Sequence, residues 1–321
     1  MKLHTFEANG RRGIGAESAG QMIDLPAAYA TLIVARGQKP EAPKALPGDM
    51  LAFLHLGEPG LAAARDAVAF MSKRPALPVG TRASYFSDEV RLLAPIPRPG
   101  KILCSGLNYR SHVQENPNAK FLDDPRFFAK TPNTVIGPGE PIRHPGEKYQ
   151  VDYEVELAVV IGRTMPRATP AERVMEHVFG YTILHDVSSR YIQFKDNNEV
   201  MGKNFDTFCP VGPCIATASE IPDPSKLRLR TLLNGQVMQD GTNADWCFPL
   251  PRLLAWLSQA MTLEPGDIVS TGTPAGIGWF RKPQVFLKPG DMVRLEIDGI
   301  GVLENPVVEM INSKRSMLNA P

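Results

Sequence analysis

Hydrophobic positions along this chain fall mostly into short alternating or unbroken runs, and few stretches carry the i, i+3, i+4 spacing of a helix. At the N-terminus MKLHTF alternates as a strand, Asn9-Gly10 predicts a hairpin turn, and GQMIDLPAAYATLIVA reads as strand then helix. Residues 62–71 have helical spacing, and the proline-rich run 94–100 (APIPRPG) predicts a rigid, helix-incompatible connector. Beyond it, 101–106 is a short strand ending in glycine. The polar, proline-bounded segment 116–125 predicts a flap, and 135–142 is turn-rich. Residues 151–162 (VDYEVELAVVIG) end in a buried-strand pattern of branched apolar residues closed by glycine.

The pattern continues strand-rich. Residues 169–177 predict a helix with Thr169 as N-cap and Pro170 in its first turn, and 180–186 a strand that stops at Asp186. Arg190 and Gln193 fit one helical turn, and 201–213 reads as a loop into a short strand. Residues 227–233, Asn234-Gly235 and 236–239 predict a hairpin, and 253–261 an amphipathic helix. A strand to Ser270 leads into TGTPAGIG (271–278), and two last strands flank Asp298-Gly299. The resulting expectation is a strand-rich α+β chain: a small α/β N-terminal domain over 1–95 and a mixed β-roll or barrel-like catalytic domain over 96–321.

Composition narrows the function classes. With 35 basic against 34 acidic residues the net charge is +1, and no basic run interleaves with aromatics, so a nucleic-acid partner is not expected. No apolar run approaches the roughly 20 residues a membrane span needs, and MKLHTFEANGRRG lacks the apolar core of a secretory signal. Cys104, Cys209, Cys214 and Cys247 are scattered without a CxxC pair, which predicts free thiols in a reducing cytoplasm.

Candidate chemistry centres on the acidic stretch. Asp152, Glu154 and Glu156 occupy every second position, so their carboxylates share one side of a strand. Such a row must face water, pair with basic groups or hold a cation, and oxygen-only ligands suit Mg²⁺, Mn²⁺ or Ca²⁺. His112 and Glu115 lie three apart, within hydrogen-bonding reach on a helical turn, as a surface pair or as a general base with its orienting carboxylate. Asp186 sits where a strand stops; His185 points to the opposite face and reads as structural. Lys203 is either a surface lysine or a cation for the acidic cluster. The loop 271–278 matches neither a P-loop nor a dinucleotide fingerprint, but its hydroxyls and N–H groups suit a carboxylate.

The blocks GLNYRSHVQE, FFAKTPNTVIGPGEPI, DYEVELAVVIG, GYTILHDVSSRYIQ, GKNFDTFCPVGP, LEPGDIVSTGTPAGIG and LKPGDMVRLEIDGIGVLEN occur in order over residues 101–308. Together they resemble the fumarylacetoacetate hydrolase family, in particular its longer acylpyruvase and 2-hydroxyhepta-2,4-diene-1,7-dioate isomerase-like members. The resemblance implies Glu154, Glu156 and Asp186 as Mg²⁺ ligands, with Mn²⁺ able to substitute, and leaves Asp152 structural. It implies His112 and Glu115 as the catalytic pair on a segment that orders with substrate, Lys203 beside the metal, and Arg190, Gln193 and Thr273 with Gly272 around substrate oxygens. Two stretches depart from the family pattern: residues 196–200 (DNNEV), where many relatives carry a tryptophan, and 243–246 (NADW).

The implied reaction is metal-dependent hydrolysis of a C–C bond in a 2,4-dioxo, acylpyruvate-type acid. His112 activates water and a pyruvate enolate leaves, stabilised by the metal and Lys203. Isomerisation or decarboxylation of a related 2-keto or 2-hydroxydiene acid, in aromatic or sugar-acid catabolism, is the alternative. A non-catalytic metal-binding protein is the third. A small 2-keto or diketo acid is the expected partner, with no nucleic acid or membrane, in a cytoplasmic homodimer.

Overall fold

In a computed structural model, the chain is described over residues 1–38, 45–73, 75, 77, 81–195 and 198–310. Those residues form nineteen strands and seven α-helices, a strand-rich α+β architecture without a closed barrel. Among them no helix is long and apolar enough to cross a membrane.

The main sheet runs Ser84–Phe86, Gln21–Asp24, Arg11–Ser18, Lys2–Ala8, Cys209–Thr217, Val178–His185, Val155–Ile161, Ile268–Ser270, Ile102–Gly106 and Arg126–Lys130. Two short strands, Arg91–Leu93 and Val135–Ile136, join it beside Lys2–Ala8 and Cys209–Thr217. A second sheet orders Gln236–Thr242, Arg228–Leu233, Met292–Ile297, Gly301–Glu309 and Ile142–His144. Both hairpins expected from Asn-Gly pairs form: Asn9 and Gly10, and Asn234 and Gly235, all have positive φ, as a two-residue turn between twisted strands requires.

Val155–Ile161 is buried along its whole length, which explains why its sequence is apolar on both alternations. Leu157, Val159 and Ile161 pack into the core between the sheets with Leu229, Leu295 and Leu303. On the other face Val160 belongs to a second cluster with Leu3, Ile14 and Phe53 of the leading segment, whose helices Leu25–Ala35 and Gly57–Met71 cover that side. Asp24 caps the first of these, accepting from the Ala27 N–H at 3.0 Å.

Two expected elements differ. Residues 169–177 hold no α-helix: the Thr169 hydroxyl donates back to the Pro166 carbonyl, so it caps nothing, and only Val174–His177 turn as a 3₁₀ helix. Residues 201–203 are not loop but the end of a short helix, Glu199–Lys203, capped by the Asn198 side chain.

Candidate active site

Antiparallel pairing brings the acids together. Val155 opposes His185, so the residue before one strand and the residue after the other become neighbours, and the Asp186 N–H donates to the Glu154 carbonyl at 3.0 Å. Glu156, two residues on, turns to the same side as Glu154. Glu154, Glu156 and Asp186 each offer an oxygen within 4.8 Å of the others, and all three are buried. The acids are therefore not a solvated sheet face. Asp152 stands apart: the strand breaks after it, and it accepts from Arg190 Nε at 2.9 Å, the Gly278 N–H at 2.7 Å and the Trp279 N–H at 3.0 Å.

Buried cations face the cluster. Arg190 Nη2 donates to Glu154 at 2.6 Å, and Lys203 Nζ bridges Glu154, at 2.8 Å, and Asp186. Lys130, to which the sequence pattern assigned no role, donates to the other Asp186 oxygen at 2.7 Å and to the Lys203 carbonyl at 2.6 Å. Three cations thus engage Asp152, Glu154 and Asp186. Among the described residues the hydrogen-bond donors to Glu156 are neutral, the Ser270 hydroxyl and the Gly272 N–H.

The charge states follow. Burial pushes the Glu154 carboxyl up, but the charges of Arg190 and Lys203 outweigh it and hold Glu154 well below the usual carboxylate range. Burial, then the negative charges of Asp186 and Glu154, raise Glu156 well above that range. Burial pulls Lys203 down, and Asp186 and Glu154 more than restore it. A surplus buried carboxylate beside two others is a donor set that fits a hard divalent cation, whose charge would favour the ionised form of Glu156.

His112 and Glu115 lie on the short helix Arg110–Glu115, with His112 Nδ1 2.6 Å from Glu115 Oε1. The departing stretch 243–246 braces this helix: Asp245 accepts from the Ser111 N–H at 2.8 Å, and Arg110 donates to the Trp246 carbonyl at 2.6 Å. The 271–278 loop does grip carboxylates, but the protein's own. Gly272 serves Glu156, the Gly276 N–H donates to Glu115 at 2.8 Å, and Gly278 serves Asp152. Gly278 has to be glycine, since a Cβ there would lie 1.7 Å from the Val285 carbonyl oxygen.

A cavity of about 160 Å³ collects most of the candidates: His112, Glu154, Glu156, Asp186, Arg190, Gln193, Lys203 and Thr273 all line it, between Phe128, Ile277 and Phe280. This is below the roughly 300–1,000 Å³ of drug-sized sites and suits a ligand of few heavy atoms. Gln193 accepts from Arg190 at 2.8 Å, and the Thr273 hydroxyl donates to the Val155 carbonyl at 2.9 Å while accepting from Gln239. Gly272 and Glu115 stand behind the lining, each holding a residue that forms it. Asn116, at the start of the expected flap, lines the cavity, and Arg252 donates to the Asp123 carbonyl near its far end at 2.6 Å. Of the departing stretch 196–200, Asp196 and Asn197 lie outside the described residues, and Glu199 lines the cavity.

Comparison with known proteins gives the family of the chain. Residues 101–308 match the family model described as the fumarylacetoacetate (FAA) hydrolase C-terminal region. The mitochondrial oxaloacetate tautomerase of Xenopus laevis is 40% identical over 96% of this chain and 90% of its own. The fumarylacetoacetate hydrolase structure from Exiguobacterium antarcticum has a TM-score of 0.75 at 34% identity, covering 97% of this chain and 100% of that one. A maleylpyruvate hydrolase from Sphingobium sp. SYK-6, in complex with manganese(II) and pyruvate, has a TM-score of 0.72 at 29% identity, covering 96% and 99%. The chain belongs to the fumarylacetoacetate hydrolase family.

Proposed function

We propose that this family member is a divalent-metal-dependent tautomerase that interconverts the keto and enol forms of a small 2-oxo acid of the oxaloacetate type. The observation that carries the reading is the convergence of Glu154, Glu156 and Asp186 on one cavity that His112 also lines. Likeness to oxaloacetate tautomerase over nearly the whole chain supports the choice of reaction.

Glu154, Glu156 and Asp186 would hold the cation, Mg²⁺ or Mn²⁺, which as a Lewis acid would acidify the carbon next to the 2-oxo group. The protein's own groups do the rest. Glu115 accepts from Nδ1–H of His112, which leaves Nε2 as the basic nitrogen. His112 takes a proton from C3 of the keto form; the C–H pair becomes the C2–C3 double bond, and the 2-oxygen gains a proton. Arg190 and Lys203 keep Glu154 ionised throughout. Phe128, Ile277 and Phe280 form an apolar wall that limits water, as a reaction that consumes none requires.

Hydrolysis of a C–C bond in a 2,4-dioxo acid is the second reading. It is favoured by the same dyad, which would serve equally to activate water, and by the likeness to maleylpyruvate hydrolase. A cytoplasmic homodimer belongs to the proposal, supported by the free cysteines and by exposed Tyr191, Phe194, Val200 and Met201 on the two short helices near the cavity.

An NMR time course with Mg²⁺ on oxaloacetate and acetylpyruvate decides between them. Faster keto–enol exchange of oxaloacetate, reduced about 10²–10⁴-fold in His112→Asn, supports the tautomerase. Fragmentation of acetylpyruvate without such exchange would replace it with the hydrolase.

A further inference from the structure

The strand Arg126–Lys130 presents Lys130, Phe128 and Arg126 on one face, since alternate side chains share a face. Lys130 lies deepest, on Asp186; the Lys203 ammonium sits 4.9 Å from the centroid of the Phe128 ring; Arg126 comes last, half-exposed and lining the same cavity. At about 3.3 Å per residue, the Arg126 backbone stands roughly 13 Å from that of Lys130. The face is therefore a ladder from the acidic floor to the rim, cationic at both ends and aromatic between. Gly106, paired with Arg126 in register, has no side chain to crowd the arginine stem.

Among the described residues, the ion partner of Arg126 is Glu199, at 2.7 Å. Glu199 also lines the cavity and opens the short helix that ends in Lys203. An ion pair this exposed is weak, and a carboxylate entering the cavity competes for the guanidinium on equal chemical terms.

We propose that Arg126 is a specificity-determining residue, exchanging Glu199 for the distal carboxylate of a dicarboxylic 2-oxo acid whose head group lies on the acidic floor. The inference rests on the tautomerase reading of that floor and deepens it: the site selects dicarboxylates over monocarboxylates. Arg126 supplies a planar fork for the second carboxylate, and Glu199 holds the fork in place until substrate arrives.

The test is calorimetric binding of two unreactive 2-hydroxy acids to the full-length protein with Mg²⁺. Malate and lactate share a head group and differ in the distal carboxylate. Wild type is expected to bind malate at least tenfold more tightly than lactate. Arg126→Met should bring the two within about twofold by weakening malate alone, and Glu199→Gln should tighten malate several-fold. Thermal melting of each variant checks that it is folded. A malate-to-lactate ratio untouched by Arg126→Met overturns the role of Arg126 and leaves the floor as described. If neither acid binds wild type, or if binding survives Glu154→Ala, the tautomerase reading falls and the Arg126 proposal falls with it.

Discussion

Glu156 carries the sharpest consequence at the scale of single residues. Burial and two neighbouring carboxylates outweigh the Ser270 hydroxyl and the charge of Lys203, so without a metal ion it is a burial cost, and with one it is a ligand. Glu156→Gln should therefore leave the melting temperature equal to or above that of wild type in a chelator. Saturating Mg²⁺ should raise wild type, by about 2.7 kcal/mol at a hundred times the dissociation constant, and leave the variant where it was. A variant that melts far below wild type in the chelator would show that Glu156 holds the structure rather than a metal. Glu154 and Glu156 were legible in sequence because their signal is local, two positions apart in one stretch; Asp186 showed only as an acid where a strand stops, and its place beside them came from the family resemblance. The His112–Glu115 pair was legible through its local spacing too. Lys130 was not, because its partner Asp186 is 56 residues away and only the tertiary fold of the main sheet brings them together. Its one local trace is a lysine closing the apolar run Phe127-Phe128-Ala129.

The elements that matter for the site are short, and tertiary contacts decide them. The Arg110–Glu115 helix has no side-chain cap of its own and is held by Asp245, Trp246 and Gly276 from distant segments. The expected helix over 169–177 fails for a related reason: a threonine–proline start is a competent signal, but the hydroxyl turned backward to Pro166. The glycine loop shows the reverse. Its N–H groups were legible as carboxylate ligands, while their partners, being non-local, were not. This loop yields the prediction proper to elements. Gly278→Ala places a methyl against the Val285 carbonyl and Asp152 Oδ1, and backbone leaves little room to yield. A cost of about 3 kcal/mol is expected from overpacking, read by chemical denaturation. Because Asp152 orients Arg190, the variant should also lose 2-oxo acid turnover at temperatures where it is still folded. Full turnover with an unchanged denaturation midpoint would show that the loop moves aside and that Asp152 does not depend on it.

Over the whole molecule, the strand-rich pattern after residue 100 foretold the sheets but not their order. Strand order depends on which apolar faces meet, and a two-faced strand such as Val155–Ile161 gives no periodicity from which to read its neighbours. The same central burial sets the response of the fold to acid. His185 pairs with Val155 in the middle of the main sheet, its Nε2 has no hydrogen-bond partner among the described residues, and burial followed by the charge of Lys130 lowers its pKa to about 3. A histidine with an ordinary pKa near 6.5 when unfolded then takes up its proton on unfolding and not before. Its contribution to stability is complete above pH 6.5 and is lost as pH falls from there toward 3, at about 1.4 kcal/mol per pH unit. Glu154, held low by its cations, adds a loss of the same sign, but only below the ordinary glutamate range, and so is silent between pH 6 and 5. Glu156, raised in the fold, acts with the opposite sign, yet it is present in wild type and variant alike and cancels in their difference. Denaturant titrations of wild type and His185→Leu between pH 6 and 5 should therefore differ in slope by about 1.4 kcal/mol per unit, the variant being the flatter. Equal slopes would mean that His185 protonates within the folded sheet, and that the cations beside it are less firmly held by the acids than their geometry indicates.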